Sequence, residues 1–365
     1  MLNKLIFANL GHRPIRTLLS VLAIAVEVTM ILTLVGVSNG TLHESARRAR
    51  GTGADILIRP PGSSAISTAS SAPMSDKLID VMRQEPHVVM ATGTIVQPLE
   101  LFDTLTGLDL DQFAKMSGGF RFVDGGLPTQ DNDLIVDEPY AREKHLHVGS
   151  TLTLVSQQWR VSGIYEPGKL ARICAKLDAL QKFTANPHRI SQIYLKVDDP
   201  AHAQQIVDAL RAKYPGYPIY TLEYYTSLLS VNSLGLLRNF TYVVIGIAMV
   251  VGFIVVFMAM YTAVLERTRE IGILKAVGSS SGLILGMLMR ETLMLALFGT
   301  AAGILLTYLT RFLIVHFAPG GMTQETSYAW WPIAAAIAIV GSLIGAIIPG
   351  IRAVQQDATE ALSYE

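Results

Sequence analysis

The chain has 365 residues, half of them hydrophobic and only 16% charged, with 29 basic and 29 acidic side chains that cancel. A soluble domain carries roughly a quarter charged residues, so this composition points to a membrane protein. Zero net charge with scattered arginines leaves no footprint for nucleic acid, and the single cysteine, Cys174, excludes an intrachain disulfide or a cysteine zinc site and reads as a small buried hydrophobe.

Residues 1–40 hold a basic lead-in (Lys4, Arg13, Arg16) and a first apolar stretch, Leu18–Val37. That stretch reaches the roughly 20 residues a bilayer span needs. It is too long for a removable signal peptide and no small-residue cleavage site follows it closely, so it reads as an uncleaved anchor. Glu27 falls mid-span. A charge at the bilayer centre costs about 2.5–3.5 kcal/mol on insertion scales. Glu27 is therefore expected either to be protonated and hydrogen-bonded to a neighbouring Ser or Thr, or to make an intramembrane polar contact, in its sharpest form at a dimer seam.

Residues 41–238 read as an ordinary folded domain of α+β type. Thr41–Arg50 continues the first helix, and its Arg47, Arg48 and Arg50 read as a solvated face. Ala54–Arg59 alternates like a strand and Pro60-Pro61-Gly62 ends it. Ser63–Pro73 is a Ser- and Ala-rich loop, Asp76–Gln84 a short helix and Val88–Leu101 strand material. Leu134–Val136, Thr151–Val155, Trp159–Tyr165 and Gln192–Val197 read as strands, the middle two joined by a Ser-Gln-Gln turn. Glu138–Leu146 and Pro200–Tyr214 read as helices, the latter with Ile206, Val207 and Leu210 inward. No G-x-S-x-G, H-E-x-x-H or Gly-rich phosphate loop occurs there. His145 and His147, two apart, diverge on a helix, and Asp131, Asp133 and Asp137 lack calcium-loop spacing and read as turn residues.

Residues 239–265 form the strongest apolar stretch, followed by a polar loop at 266–290, a third span at 291–317, a connection at 318–331, a fourth span at 332–351 and a tail at 352–365. Lys and Arg cluster before the first span, between the second and third, and after the fourth, whereas His316–Trp331 has none. The positive-inside rule then puts both termini and the 266–290 loop in the cytoplasm and the large domain outside. Trp330 and Trp331 suit the outer interface.

The loop opens with Glu266-Arg-Thr-Arg-Glu-Ile-Gly-Ile-Leu-Lys-Ala-Val-Gly278. Polar Arg267, Arg269, Glu270 and Lys275 alternate with apolar Ile271, Ile273, Leu274 and Val277, which predicts a short amphipathic helix along the membrane surface, stopped at Gly278 and Ser279. Periodicity alone leaves open whether it flanks a span or docks on a partner.

That string resembles the signature of the FtsX-like, or MacB-type (type VII), permease family of ABC transporters. Asn9–Leu22, Asp55–Ile58, Gly125–Pro128, Leu134–Leu154, Val161–Tyr165, Tyr194–Pro200, Glu291–Gly303, Pro349 and Ala358–Leu362 add to the resemblance. It implies a four-helix transmembrane domain with a MacB-like periplasmic α+β core inserted between helices 1 and 2, in a bacterial inner membrane. It implies a coupling helix in which Glu266, Arg267, Arg269, Glu270 and Lys275 are polar contacts to an ABC ATPase, Ile271 and Leu274 are apolar anchors, and Gly272 and Gly278 give close approach and termination. The residues hold no G-x-x-x-x-G-K-[ST] loop, so this chain is expected to be non-catalytic and without cofactor or metal, with ATP and Mg bound by the partner. Other implied partners are two copies of that ATPase, a second permease copy or paralogue, membrane lipid, and a periplasmic adaptor or substrate protein. The implied work is export, efflux, or lipid and lipoprotein extraction. An FtsX-type regulator of cell-wall hydrolases and an ATPase-independent receptor are the alternatives. Glu27 departs from the small or apolar residue usual in that region, and Glu291 fits the pattern in a structural role.

Overall fold

The computed structural model describes residues 14–63, 74–99, 103–229, 235–317 and 323–355. The expected loop at Ser63–Pro73, apart from Ser63, and the tail after Gln355 lie outside the described residues. Helix α1 runs unbroken over Pro14–Arg50. After it come β1 (Ile56–Ile58), β2 (Met74–Ser75), α2 (Lys77–Arg83), β3 (Val88–Pro98), β4 (Thr104–Leu108), α3 (Leu110–Ser117), β5 (Phe122–Gly125), β6 (Asp133–Asp137) and α4 (Glu138–Glu143). Next are β7 (Thr151–Leu154), β8 (Gln157–Tyr165), β9 (Ile173–Lys176), α5 (Leu177–Phe183), β10 (Arg189–Ile190), β11 (Gln192–Val197), a 3-10 turn at Pro200–His202, α6 (Ala203–Lys213), β12 (Ile219–Thr221) and α7 (Leu222–Leu228). The chain closes with α8 (Gly235–Glu266), α9 (Thr268–Ala276), α10 (Ser281–Phe317) and α11 (Trp330–Gln355).

The chain divides into two compact units. One, residues 1–39, 236–315 and 324–365, holds α1 as far as residue 39 together with α8, α10 and α11, which among the described residues are the four helices long and apolar enough to cross a membrane. Lipid offers no hydrophobic drive between such helices, so close backbone approach at small residues holds them together. Gly299 and Gly303 let α1 settle on α10: a Cβ at Gly303 would stand 2.7 Å from the Ala25 carbonyl oxygen and from Val28 Cβ. Polar side chains stitch the same seam. Thr29 Oγ1 donates to the Gly303 carbonyl at 3.0 Å, and the Thr33 and Thr310 hydroxyls meet at 2.9 Å. On the other side of the bundle α11 lies against α8, with Gly345 beneath Phe253.

The second unit, residues 40–235 and 316–323, is built on one large sheet in the order β12-β1-β11-β3-β4-β9-β6-β8-β5, with β7 beside β8. Its first four strands, with α2 after β1 and α6 after β11, make a β-α-β-β-α-β arrangement. Successive side chains in a strand face opposite ways. Ile56, Ile58, Ile193 and Leu195 thus pack with Ile79 and Met82 of α2 and Ile206, Val207 and Leu210 of α6, while Leu57 and Tyr194 face Ala49 at the end of α1 and Leu222 of α7. The other half of the sheet repeats the plan, with Leu134, Val136, Ile173 and Ala175 on one face around Trp159, and Ile135 and Cys174 on the other around Phe113 and Tyr165. Strand β3 belongs to both halves: Val88–Thr94 pairs with β11 and Thr94–Pro98 with β4. The expected Ser-Gln-Gln turn is instead a two-residue turn at Val155 and Ser156, with φ of 53° and 58°, and Gln157 already lies in β8, opposite Leu154. Positive φ at both central residues is the turn whose twist matches a hairpin.

Leucine in place of Gly303 cannot fit without separating α1 from α10. Gly303→Leu is expected to lower stability by about 1–3 kcal/mol, read as a reduced melting temperature of the full chain in detergent.

Candidate functional site

Helix α8 ends at Glu266, and Arg267, at φ −110° and ψ 16°, stands off helical dihedral angles before α9 begins. The Gly278 and Ser279 N–H groups close the far end on the Lys275 and Leu274 carbonyls, with Gly278 at φ 93°. That left-handed conformation suits glycine.

Nine residues of helix between two non-helical joints present two unlike faces. Arg267, Thr268, Ile271 and Gly272 are buried. Arg267 Nη1 lies 3.0 Å from Glu291 Oε2 on α10, with both side chains under one-tenth exposed. Ile271 shares a cluster with Ile284, Leu288 and Ala353. Lys275 Nζ donates to the Val354 carbonyl at 2.6 Å, near the end of α11, where unsatisfied helix carbonyls favour a cation. On the opposite side Glu266, Arg269, Glu270 and Ala276 are exposed, Ile273 is 47% exposed and Val277 82%. Leu274 is half-buried.

This sorting divides the residues of the sequence-based assignment between two faces. Arg267, Ile271 and Gly272 were expected against a partner but are turned into the chain's own helices, because Glu291 and the apolar pocket around Leu288 take them up. Arg269 and Glu270 lie on the open face, with Ile273 and Val277 as its apolar part.

Glu27 is also drawn inward. It is 6% exposed, and its carboxylate rests on the bare backbone of Gly252 in α8, where a Cβ would come within 1.9 Å of Oε2. Oε1 has no hydrogen-bond partner, so the expected bond from a neighbouring Ser or Thr does not form at that atom. Ile15, Leu18, Leu19, Leu22, Val26 and Met30 are exposed large apolar side chains of α1. A seam between copies made by Glu27 itself does not fit a carboxylate already covered by α8.

In the sheet unit, Arg48 was read as part of a solvated face and Asp133 and Asp137 as turn residues. Arg47 is indeed solvated, its side chain 72% exposed. Arg48 instead reaches Glu44 at 3.1 Å and the fully buried Asp137 at 2.9 Å. Asp137 also caps α4 by accepting from the Tyr140 N–H at 2.9 Å. Arg172 extends the network to Asp103 at 2.7 Å and Glu143 at 3.2 Å. Burial pushes the Asp137 carboxyl above its ordinary value despite Arg48 and Arg172. The local signals in the sequence were Glu44 four residues before Arg48, and an aspartate ahead of Glu-Pro at a helix start. Neither says that the two ends meet.

Asp133, likewise buried, shifts the other way. Burial pushes its carboxyl up, but hydrogen bonds from the Gln130 N–H, the Arg160 guanidinium and Thr129 outweigh burial and leave it below the ordinary aspartate value. Among the described residues no group of three or more His, Cys, Asp or Glu is placed to hold a metal.

With this geometry in place, comparison with known families is decisive. Residues 17–213 match the MacB-like periplasmic core domain and residues 242–358 the FtsX-like permease C-terminal domain. The chain belongs to the FtsX-like, MacB-type permease family. It is 25% identical over 404 residues to the macrolide export ATP-binding/permease protein MacB of Shewanella sp. (strain ANA-3), covering 100% of this chain and 60% of that protein. It is 26% identical over 390 residues to the protein of the same name from Escherichia coli (strain K12), covering 98% and 59%. The permease thus spans about 60% of the length of these curated relatives. Among solved structures, the periplasmic region of MacB from Actinobacillus actinomycetemcomitans aligns at 14% identity and a TM-score of 0.38 over 49% of this chain and 94% of that one. The extracellular domain of the ABC-type transporter YknZ from Gram-positive bacteria aligns at 14% identity and 0.35 over 46% and 99%.

Two outcomes follow for the permease. Asp137→Ala takes from the Arg48 guanidinium its buried partner, leaving only Glu44, and removes the cap of α4; it is expected to cost about 2–4 kcal/mol, whereas Arg47→Ala changes little; melting of the two full-length variants in detergent compares them. A carboxylate with a lowered folded value contributes stability that is present above its unfolded value and is lost as pH falls through the folded value. Stability of the wild type should therefore fall with pH below the ordinary aspartate range, and Asp133→Asn should flatten that part of a pH series while lowering stability at neutral pH.

Proposed function

We propose that this permease is the membrane-spanning subunit of an ABC transporter, taking motion from a separate ATP-hydrolysing subunit at α9 and spending it as conformational work on the sheet unit outside the cytoplasm. The observation that carries the reading is the open face of α9. Arg269 and Glu270 stand exposed beside Ile273 and Val277, immediately after an apolar helix of 32 residues. Exposed apolar side chains rimmed by charge mark a protein contact. The relatives are named as fused ATP-binding and permease proteins, which supports an ATPase as the partner for that face.

In this reading ATP and Mg sit on the partner, and the permease performs no hydrolysis. Two ATPase copies would serve a pair of permease chains, identical or paralogous, in a bacterial cytoplasmic membrane, with the termini and α9 inside. The output is export, efflux, or extraction of a lipid or lipoprotein, with an adaptor or substrate protein meeting the sheet unit.

The reading is tested by capture of the full chain from its native membrane in mild detergent. An ATPase should co-purify in fixed ratio. Reversing the charges of the exposed pair, Arg269→Glu with Glu270→Arg, should reduce capture about tenfold, a size typical of energetic coupling between sites, without lowering the melting temperature. Unchanged capture by that variant would remove α9 as the docking face.

A further inference from the structure

Helix α9 is joined to its own chain at each end by a residue off helical dihedral angles. Before it stands Arg267, off helical dihedrals at φ −110° although its carbonyl accepts from the Ile271 N–H, and after it Gly278 at φ 93°. A few residues off the regular ladder are what hinges are made of. Motion applied to the open face of α9 therefore has to enter the membrane unit through side chains, and the side chains on its buried face select where.

Thr268 Oγ1 ties the start of α9 to the Val264 and Leu265 carbonyls of α8, at 3.2 and 2.9 Å, but the other contacts lead away from α8. The Arg267 guanidinium reaches across to Glu291, 24 residues further on, at 3.0 Å, in a place where neither side chain keeps more than one-tenth of its exposure. Lys275, at the other end of α9, holds the Val354 carbonyl of α11. Between them Ile271 packs with Ile284 and Leu288 of α10 and Ala353 of α11. A buried pair of opposite charges has little freedom to part, because separation leaves each ion without water. Arg267 at the joint, with Ile271 and Lys275 on α9 itself, ties α9, the inner part of α10 and the end of α11 into one mechanical piece.

We propose that Arg267 and Glu291 are positioning residues that join α9 to α10, so that displacement of α9 is delivered first to α10 and α11, while α8, which delivers the chain to α9, is free to pivot at Arg267. This rests on α9 being the docking helix, and assigns its two faces separate tasks: Arg269, Glu270, Ile273 and Val277 for the partner, Arg267, Ile271 and Lys275 for the chain's own helices.

The test uses the full chain with its captured ATPase, carrying Cys174→Ala so that introduced cysteines alone are labelled. Spin labels at Ala276 and Leu305 read the α9–α10 distance, and labels at Ala276 and Val250 read α9–α8; all three sites are exposed, and none is among the residues assigned to the partner. On adding ATP and Mg, the α9–α8 distance should shift while α9–α10 holds. Arg267→Gln should keep the captured ATPase at wild-type ratio, broaden the α9–α10 distribution and cut the ATP-driven shift about tenfold. The exchange Arg267→Glu with Glu291→Arg should restore a narrow distribution and the shift, a rescue that loss of packing alone would not give.

The joint is overturned if α9–α10 changes as much as α9–α8 in the unsubstituted protein, if Arg267→Gln leaves both readouts untouched, or if the exchanged pair folds without restoring them. Should Arg267→Gln fail to accumulate, the exchanged pair decides: recovery of protein with a narrow α9–α10 distance sustains the joint, and continued failure overturns it. Failure of the docking reading looks different. No ATPase would then be captured by the wild type, while the α9–α10 distribution of the isolated chain, narrow with Arg267 and broad with Arg267→Gln, would still stand or fall on its own.

Discussion

A guanidinium and a carboxylate removed from water can remain only where each has the other. Arg267 and Glu291 meet that condition at 3.0 Å, and much of the membrane unit follows from having to keep it. Removing one partner leaves an uncompensated buried ion, which costs more than the pair itself gains. The short helix that follows Arg267 therefore has one tolerable orientation, with Ile271 turned to α10 and Lys275 at the end of α11. That orientation fixes which residues remain on the outside. Elsewhere in the bundle contact rests on small residues and hydroxyls, such as Gly299, Gly303, Thr29 and Thr33, which tolerate sliding far better than a charge pair does.

The apolar helices were legible because length and hydropathy are properties of a single segment, and four segments met both. The α9 segment was legible from its string of residues. Its facing was not. Over nine residues two apolar stripes are nearly equivalent, and what decides between them is a glutamate 24 residues beyond Arg267. The same holds for Glu27. Its position in mid-span was plain, but its resting place depends on Gly252 in a helix reached more than two hundred residues later. Sequence patterns report what a segment will bury and are silent on whom it will meet.

The sheet unit divides along the same line. Strands with clear alternation or flanking turns, such as β1, β8 and β11, could be read directly. Strands β4 and β9, together with α3 and α5, were passed over. Ile173, Cys174 and Ala175 are all buried, so β9 shows no alternation to detect, and Thr104–Leu108 contains a glycine where a strand usually carries a branched side chain. Arg48 reads from sequence as solvated and Asp137 as a turn residue, yet the two meet in the interior at 2.9 Å. They lie 89 residues apart in sequence, and only the closed sheet brings the helix end to the start of α4.

Strand β3, shared between the two halves of the sheet, has a consequence for how such a protein can change over generations. Thr94 pairs with Gln192 on one side and Leu108 on the other. Everything from residue 99 to residue 191 thus leaves and re-enters the β-α-β-β-α-β framework at adjoining points, as an overgrown hairpin loop would. A segment hung in this way can lengthen, shrink or be exchanged while the framework strands keep their register. Natural variation in length and sequence can therefore accumulate in one graft, while the framework strands and the apolar helices change independently of it.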